Sequence, residues 1–588
     1  MPKRVFEDHG AIVATDGSAF VHHDAERKLV IVGEWRLDHD PTINLNSDPR
    51  HELRKIAFAY SSFGLDLCSV LEGEFSFAVW DGLRRELVLA RDQLGARQMY
   101  FREEKHAIVF SNLARTASRG EKAKVTKADV ASFLLGIPPS SKASPFPDVQ
   151  SVRAAHIVRW SYDEFRHHRY WNLELRIDST KDAPAKFRSL FKDAVRRRMN
   201  AQRPCAAMLS GGLDSSSIAM VAGAIRETSG GARLATFSHV YPDHPDLDES
   251  HYIDAVLRDG YIEGNKIPFI GGDPLEGMAE AQVGLGRICE AVRLEKVRQI
   301  CRLAKSNGYD VVLDGNGGDE VVSYGLEHLV ALARASNWLK VIPLLKAQAE
   351  MAGSSRLAVL AGLVSIAPAT FSTRQLRRSL TLFRNQSNSQ KRLDFENFLA
   401  PQLLAETNVL EEWKKARSWK GSEDDFAREF HLRAMQSDAV PQTLEVLSWA
   451  GRQEGVELRC PFYDKRLIEF CVSLPGSEKI APDATRALLR RALHGILPNE
   501  VALRRDKKDY AGEAAEGLVR HHRERLKELV AGIPKLRGVF AQNMLSTAVK
   551  NVLEFGPAAD GLDVVMTWRA LCLLILVEDN CEHFDAEF

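Results

Sequence analysis

The 588-residue chain carries no net charge, its 79 Lys and Arg balancing 79 Asp and Glu. Proteins that hold nucleic acid carry a basic excess to neutralise phosphates, so a nucleic-acid substrate is disfavoured. Cysteine is scarce. The eight residues, Cys68, Cys205, Cys289, Cys301, Cys460, Cys471, Cys572 and Cys581, form no CxxC pair and no Cys/His spacing that suits zinc. In a chain this long they read as thiols of a reducing compartment. A long hydrophobic run is also missing. The most apolar stretch, residues 357–371, is short for a membrane span and is interrupted by Pro368, so no stable membrane insertion is expected. The opening residues, MPKRVFEDHGAIV, hold no apolar signal-peptide region, and the expectation is a cytoplasmic protein. What is present is a globular balance of 45% hydrophobic and 27% charged residues, with enough length for more than two domains or a merged large one.

Two textures divide the chain. The first part alternates short apolar strands with turn signals at 11–13, 29–32, 75–80, 87–90, 107–110 and 155–160. Their period of two predicts packed antiparallel sheets. The Pro/Ser-rich stretch 137–150 precedes another strand and therefore reads as a loop inside this domain. The boundary falls in the polar segment 176–184, before a helical pattern that starts near Ala185. Beyond it, apolar runs at 206–209, 234–237 and 310–313 alternate with helical segments, the pattern of a parallel sheet covered on both faces. Beyond about Tyr324 the pattern is almost wholly helical and stays so to the end.

The strand 206–209 runs into Ser210-Gly211-Gly212-Leu213-Asp214-Ser215-Ser216-Ser217 and then a helix. Glycines let the backbone turn so that several N–H groups face one concavity, the serines add hydroxyls, and the helix start adds positive potential. Such a nest holds phosphoryl oxygens. The lysine and spacing of a Walker loop are absent. A second glycine-rich turn, Asp314-Gly315-Asn316-Gly317-Gly318-Asp319-Glu320, follows the strand 310–313. Asp214 and Asp319, from neighbouring strand ends, would share Mg²⁺ bound to a triphosphate.

The first string resembles the pyrophosphate loop of the N-type ATP pyrophosphatases, which cleave ATP between its α- and β-phosphates and leave an adenylated substrate. A third string, Glu454-Gly455-Val456-Glu457-Leu458-Arg459-Cys460-Pro461-Phe462-Tyr463-Asp464 followed by Arg466-Leu467, resembles asparagine synthetases. Residues 71–81 (LEGEFSFAVWD) and 91–101 (RDQLGARQMYF) resemble their glutaminase domain. The resemblance implies two parts. Residues 1–178 would form a glutaminase-like α+β domain with an Ntn-type antiparallel β-sandwich. Residues 184–588 would form an α/β parallel-sheet ATP-pyrophosphatase domain with a large helical C-terminal part. The ATP contacts it implies are Leu209, Ser210, Gly211, Gly212, Asp214, Ser215, Ser216, Ser238, His239, Asp314 and Gly315, with Asp214 and Asp319 on Mg²⁺. At Ser238 and His239 the backbone is expected to meet the adenine. A cation that stabilises developing oxyanion charge is expected in the basic run 504–508, with Lys507 at the R-x-x-K spacing and Lys508 the alternative. Glu445 stands near the place of an acidic catalytic residue.

Departures from the pattern narrow the expectation. The family's glutaminase works through a cysteine exposed when the first methionine is removed, and position 2 here is Pro2. A ring-locked secondary amine without a thiol cannot release ammonia from glutamine, so the first domain is expected to be a scaffold. Loss of that cysteine is common among amide-forming relatives, including carbapenam and β-lactam synthetases and lasso peptide cyclases. Asn316 is neither the phenol found at that position in β-lactam-type enzymes nor the acid often found in asparagine synthetases, and the GNGGDE form is most like the lasso cyclases. The expected reaction is therefore closure of a macrolactam between a core peptide's N-terminal amine and an Asp or Glu side chain, with AMP and pyrophosphate released. A leader-binding protein and a leader peptidase would be partners. An ammonia-dependent asparagine synthetase, a β-lactam-type synthetase and a nucleotide-binding pseudoenzyme remain the alternatives.

Overall fold

A computed structural model describes the chain apart from residues 1–2, 9–10, 16–19, 25–27, 38–48, 106, 139–143, 163, 177–179, 200–202, 270, 292, 352–354, 358, 361–362, 364–394, 418–425, 506–507 and 587–588. Pro2, Lys507 and most of the apolar stretch 357–371 lie outside the described residues.

The N-terminal part is built on a six-stranded antiparallel sheet, in the order Phe165–Arg169, His156–Ser161, Glu86–Arg91, Gly73–Asp81, Leu29–Leu37, Phe20–Asp24. Its pleat explains the alternating sequence. Phe75, Phe77 and Val79 point into one core with Ile31, Trp35 and the helix residues Ile56 and Tyr60. Ala78, on the other face, meets Leu89, Met99, Phe101 and Val158 in a second core. Successive side chains of a strand leave on opposite faces, so a sheet covered on both sides needs apolar residues in both registers. A three-stranded sheet of Gln150–Ser151, Tyr100–Glu104 and Ala107–Ser111 supplies the second layer.

The second part opens with the helix Ala183–Arg198, whose first turn is capped by Asp182 accepting from the Ala185 N–H at 3.0 Å. Five parallel strands follow in the order Ile262–Pro268, Leu234–Val240, Cys205–Met208, Val311–Leu313, Glu457–Arg459. The chain moves outward from Cys205–Met208 to one edge and then crosses to the other side. A crevice therefore opens at the carboxyl ends of Cys205–Met208 and Val311–Leu313, the switch point where open α/β sheets take ligands.

The expectation of an almost wholly helical chain after Tyr324 fits most of the described residues there, but it missed Glu457–Arg459, the fifth strand of the sheet, and a small hairpin, Ile480–Ala481 with Ala484–Thr485, that follows it. Three residues, two of them charged, leave no periodicity to read. Apart from the strand Phe584–Ala586, which pairs with Ala123–Val125, the other described residues of this part are mainly helical, and the apolar helix Gly561–Glu578 is buried along most of its length against Ala511–Ala531 and Gln542–Phe555. Among the described residues no helix is long and apolar enough to cross a membrane. All eight cysteines are free, and only Cys581 is exposed.

Candidate active site

Leu209 follows the strand Cys205–Met208, its N–H held by the Phe237 carbonyl at 3.0 Å. The chain then turns through Gly211 at φ +74°, where a Cβ would stand 2.9 Å from the Cβ of Tyr252. Glycine is required there both for the left-handed backbone and for the space. Gly212 caps the helix Leu213–Thr228. Ser215 Oγ accepts from the Ser210 N–H at 3.1 Å and lies 3.0 Å from Ser210 Oγ, which fixes the curl of the loop. Arg504 pins it from outside by bonding the Gly211 carbonyl at 3.2 Å and pairing with Glu249.

The second glycine-rich turn meets the first directly. A Cβ on Gly318 would lie 2.3 Å from Asp214 Cγ, so only glycine lets the short helix Gly318–Val322 bring Asp319 beside Asp214. Burial raises the Asp214 carboxyl above its usual range and the neighbouring Asp319 adds to that, while Arg486 opposes both. Arg486 is 3% exposed and pairs with both carboxylates, its Nη1 lying 3.2 Å from Asp214 Oδ2.

The cleft above these loops holds about 740 Å³. Leu209, Ser210, Gly212, Asp214, Ser215, His239, Asp314, Gly315, Asp319 and Lys508 line it. Gly211 lies in the turn beneath. Ser216 and Ser238 are buried behind the lining, at 0% and 1% exposure. Among the described residues no three His, Cys, Asp or Glu side chains converge as a ready cage. Two carboxylates beside a phosphate nest still fit Mg²⁺, which takes one or two carboxylates and draws its other ligands from phosphate and water.

A family description for asparagine synthase matches residues 186–560, and one for a glutamine amidotransferase domain matches residues 38–171. The chain belongs to the asparagine synthase family. Members of this family are ATP-dependent carbon–nitrogen ligases. The chain is 26% identical over 466 residues to asparagine synthetase [glutamine-hydrolyzing] 3 of Bacillus subtilis, covering 76% of this chain and 68% of that protein. It is 26% identical over 309 residues to a putative asparagine synthetase [glutamine-hydrolyzing] 2 of Methanocaldococcus jannaschii, covering 49% and 56%. Amidase chry2 of Gibberella zeae is 29% identical over 201 residues, covering 31% and 28%. The chain thus spans little more than half of the second relative and under a third of the third.

Against this asparagine synthase framework, Glu445 is placed away from the cleft. It is 4% exposed, accepts from Tyr100 Oη of the N-terminal part at 2.8 Å and pairs with Arg287. Helical rotation is the reason. In Ala439–Gln453, Thr443, Val446, Leu447 and Ala450 face the cleft and Glu445 faces the other domain. This corrects its expected place as a catalytic acid. Asn316 is fixed by its own loop, its backbone N–H and Nδ2 both donating to Asp314 Oδ1, at 2.8 and 2.7 Å.

His239 lines the cleft as a neutral ring. Burial pushes its pKa down to about 4, and its Nε2 lies 2.8 Å from Gln299 Oε1. A folded-state pKa below the unfolded value near 6.5 gives stability that is present above pH 6.5 and is lost as pH falls. Between pH 7.5 and 5 this residue accounts for about 2 kcal/mol. In denaturant unfolding at the two pH values, His239→Gln should lose less stability than the parent by about that amount; equal losses would refute the assignment.

Arg486 was not singled out by the sequence. It sits in a run with Arg490 and Arg491, and nothing local marks it as the one that reaches Asp214, 272 positions away. The third string proves to be architecture. Glu457 joins Arg97 of the N-terminal part at 2.7 Å, Arg203 at 2.5 Å and Arg459 at 2.9 Å. The residues of the two glutaminase-like strings meet Arg198, Tyr463 and Asp464 around a cavity of only about 30 Å³, room for about one water molecule.

Proposed function

We propose that this protein uses ATP to activate a carboxylate as an acyl-adenylate, and that the carboxylate and the attacking amine belong to one peptide. The carboxylate oxygen attacks the α-phosphorus, and the bond to the bridging oxygen breaks with loss of pyrophosphate. The amine then attacks the acyl carbon, AMP leaves with that oxygen, and the amine gives up a proton as the lactam closes. The loop 210–216 holds the β- and γ-phosphates. Asp214 and Asp319 would hold Mg²⁺, which neutralises phosphate charge when bound. Lys508, in the cleft wall, or Lys507 beside it offsets oxyanion charge.

The observation that carries the substrate assignment is Asn316, locked onto Asp314 at the cleft. At position 316 itself neither a phenol nor a carboxylate is present to deprotonate a strongly basic amine. A peptide α-amine, with a pKa near 8, is substantially neutral at physiological pH and needs less help. The apolar wall of Val446, Leu447 and Ala450 suits a folded peptide, and holding it pre-folded supplies the proximity that ring closure needs. On this reading a leader-binding protein and a leader peptidase prepare the peptide, and the work is done in the cytoplasm. A small-molecule amide synthetase is the second reading, favoured by the likeness to the Bacillus subtilis protein.

AMP release from Mg²⁺-ATP distinguishes them. With aspartate and ammonium no AMP above background is expected. With a candidate precursor peptide, AMP should accompany loss of one water from the peptide. Aspartate-dependent AMP would sink the cyclase reading, and silence with every precursor tested alongside intact nucleotide binding would favour a pseudoenzyme.

A further inference from the structure

Behind Asp319 lies a ring of buried polar side chains that the reaction does not use. His431, on the helix Phe426–Met435, is 3% exposed, and its Nε2 lies 2.8 Å from the Glu320 carbonyl. Lys479 is fully buried, with its Nζ 2.7 Å from His431 Nδ1 and 3.6 Å from Glu327 Oε1. Ser323 Oγ donates to Glu327 at 2.6 Å, and the Ser323 N–H returns to the Asp319 carbonyl at 3.1 Å. The ring begins and ends on the five-residue helix Gly318–Val322.

The donor inventory fixes its sense. An ammonium only donates, so Nδ1 of His431 accepts, Nε2 carries the hydrogen, and the Glu320 carbonyl receives it. A helix this short has carbonyls with no partner inside it, and His431 satisfies one of them. Burying Lys479 and Glu327 is costly unless they are paired and hydrogen-bonded, and in this ring each has a partner.

We propose that His431, Lys479, Glu327 and Ser323 are positioning residues that set Asp319 against Asp214 for the metal-bound form of ATP. The proposal rests on the Mg²⁺-ATP reading of the cleft. Carboxylate ligands are only as well placed as the groups that hold them, and removing such support typically costs 10–100-fold in metal affinity.

The test is ATP binding to the full chain by calorimetry, with Mg²⁺ and with the metal chelated. The parent should bind ATP more tightly with Mg²⁺; if it does not, the nucleotide–metal reading itself fails. In His431→Leu the gain from Mg²⁺ should shrink by about tenfold or more while metal-free ATP affinity holds. His431→Gln, which can accept from Lys479 and donate to the carbonyl, should recover much of it. Should His431→Leu not fold, Ser323→Ala cuts the ring at its other end with little change in volume and should shrink the gain in the same direction. An unchanged gain, or a parallel fall in both affinities, overturns the proposal.

Discussion

Replacing Asp214 with alanine should lower AMP release by on the order of 10³-fold, close to 4 kcal/mol of transition-state stabilisation. The carboxylate touches both glycine-rich turns: it lies in the first turn of the helix Leu213–Thr228 and against the Gly318 backbone that carries Asp319. On the proposed Mg²⁺ site its removal would leave the metal one protein ligand instead of two, and it leaves Arg486 with one carboxylate partner instead of two. Stability should change far less. Burial and the neighbouring Asp319 disfavour the charged Asp214 carboxylate while Arg486 favours it, so deleting it relieves unfavourable interactions as it removes a favourable one. Asp214→Asn, which keeps the volume and drops the charge, should lose activity almost as fully. A variant of either kind that folds, melts like the parent and still releases AMP at more than about a tenth of the parent rate would remove the metal assignment, because loss of a transition-state charge partner costs more than that.

The parts of this architecture that were legible in the sequence are those governed by short-range physics. The two-residue period of 75–80 and the glycine turns after two buried strands each follow from a constraint a few residues long, and Gly73–Asp81, Gly211 and Gly318 show it. What escaped depends on contacts across hundreds of residues. Arg486 gains its role only because a hairpin delivers it to two carboxylates from other loops. Glu445 is aimed by a helical rotation of a few residues, so that its neighbours Thr443 and Val446 face the cleft while it faces Tyr100. The strand Glu457–Arg459 is edged with charges because ion pairs with Arg97 and Arg203 neutralise it. No local pattern encodes that pairing.

The same distinction predicts that the most family-specific string acts through stability. Asp464 caps the helix Lys465–Ser473 by accepting from the Arg466 N–H at 3.0 Å. It also pairs with Arg198 at 3.1 Å, both side chains being 3% exposed. Burial alone would raise its pKa, but Arg198 and Arg466 outweigh it and hold the carboxyl at about 2. A depressed carboxylate pKa gives stability that is present above the unfolded value near 3.9 and is lost as pH falls from about 4 to about 2; the shift is worth about 2–3 kcal/mol at neutral pH. Asp464→Ala removes the cap as well and strands Arg198 in the core, so a loss of about 3–5 kcal/mol is expected in urea unfolding at pH 7. Adding Arg198→Met to Asp464→Leu should restore part of that loss, because two apolar side chains of similar size need no charge compensation. Folded Asp464→Asn should keep the parent KM for ATP. A milder loss than about 1 kcal/mol would refute the structural role, and an altered KM in a fully folded variant would mean that this string reaches the cleft after all.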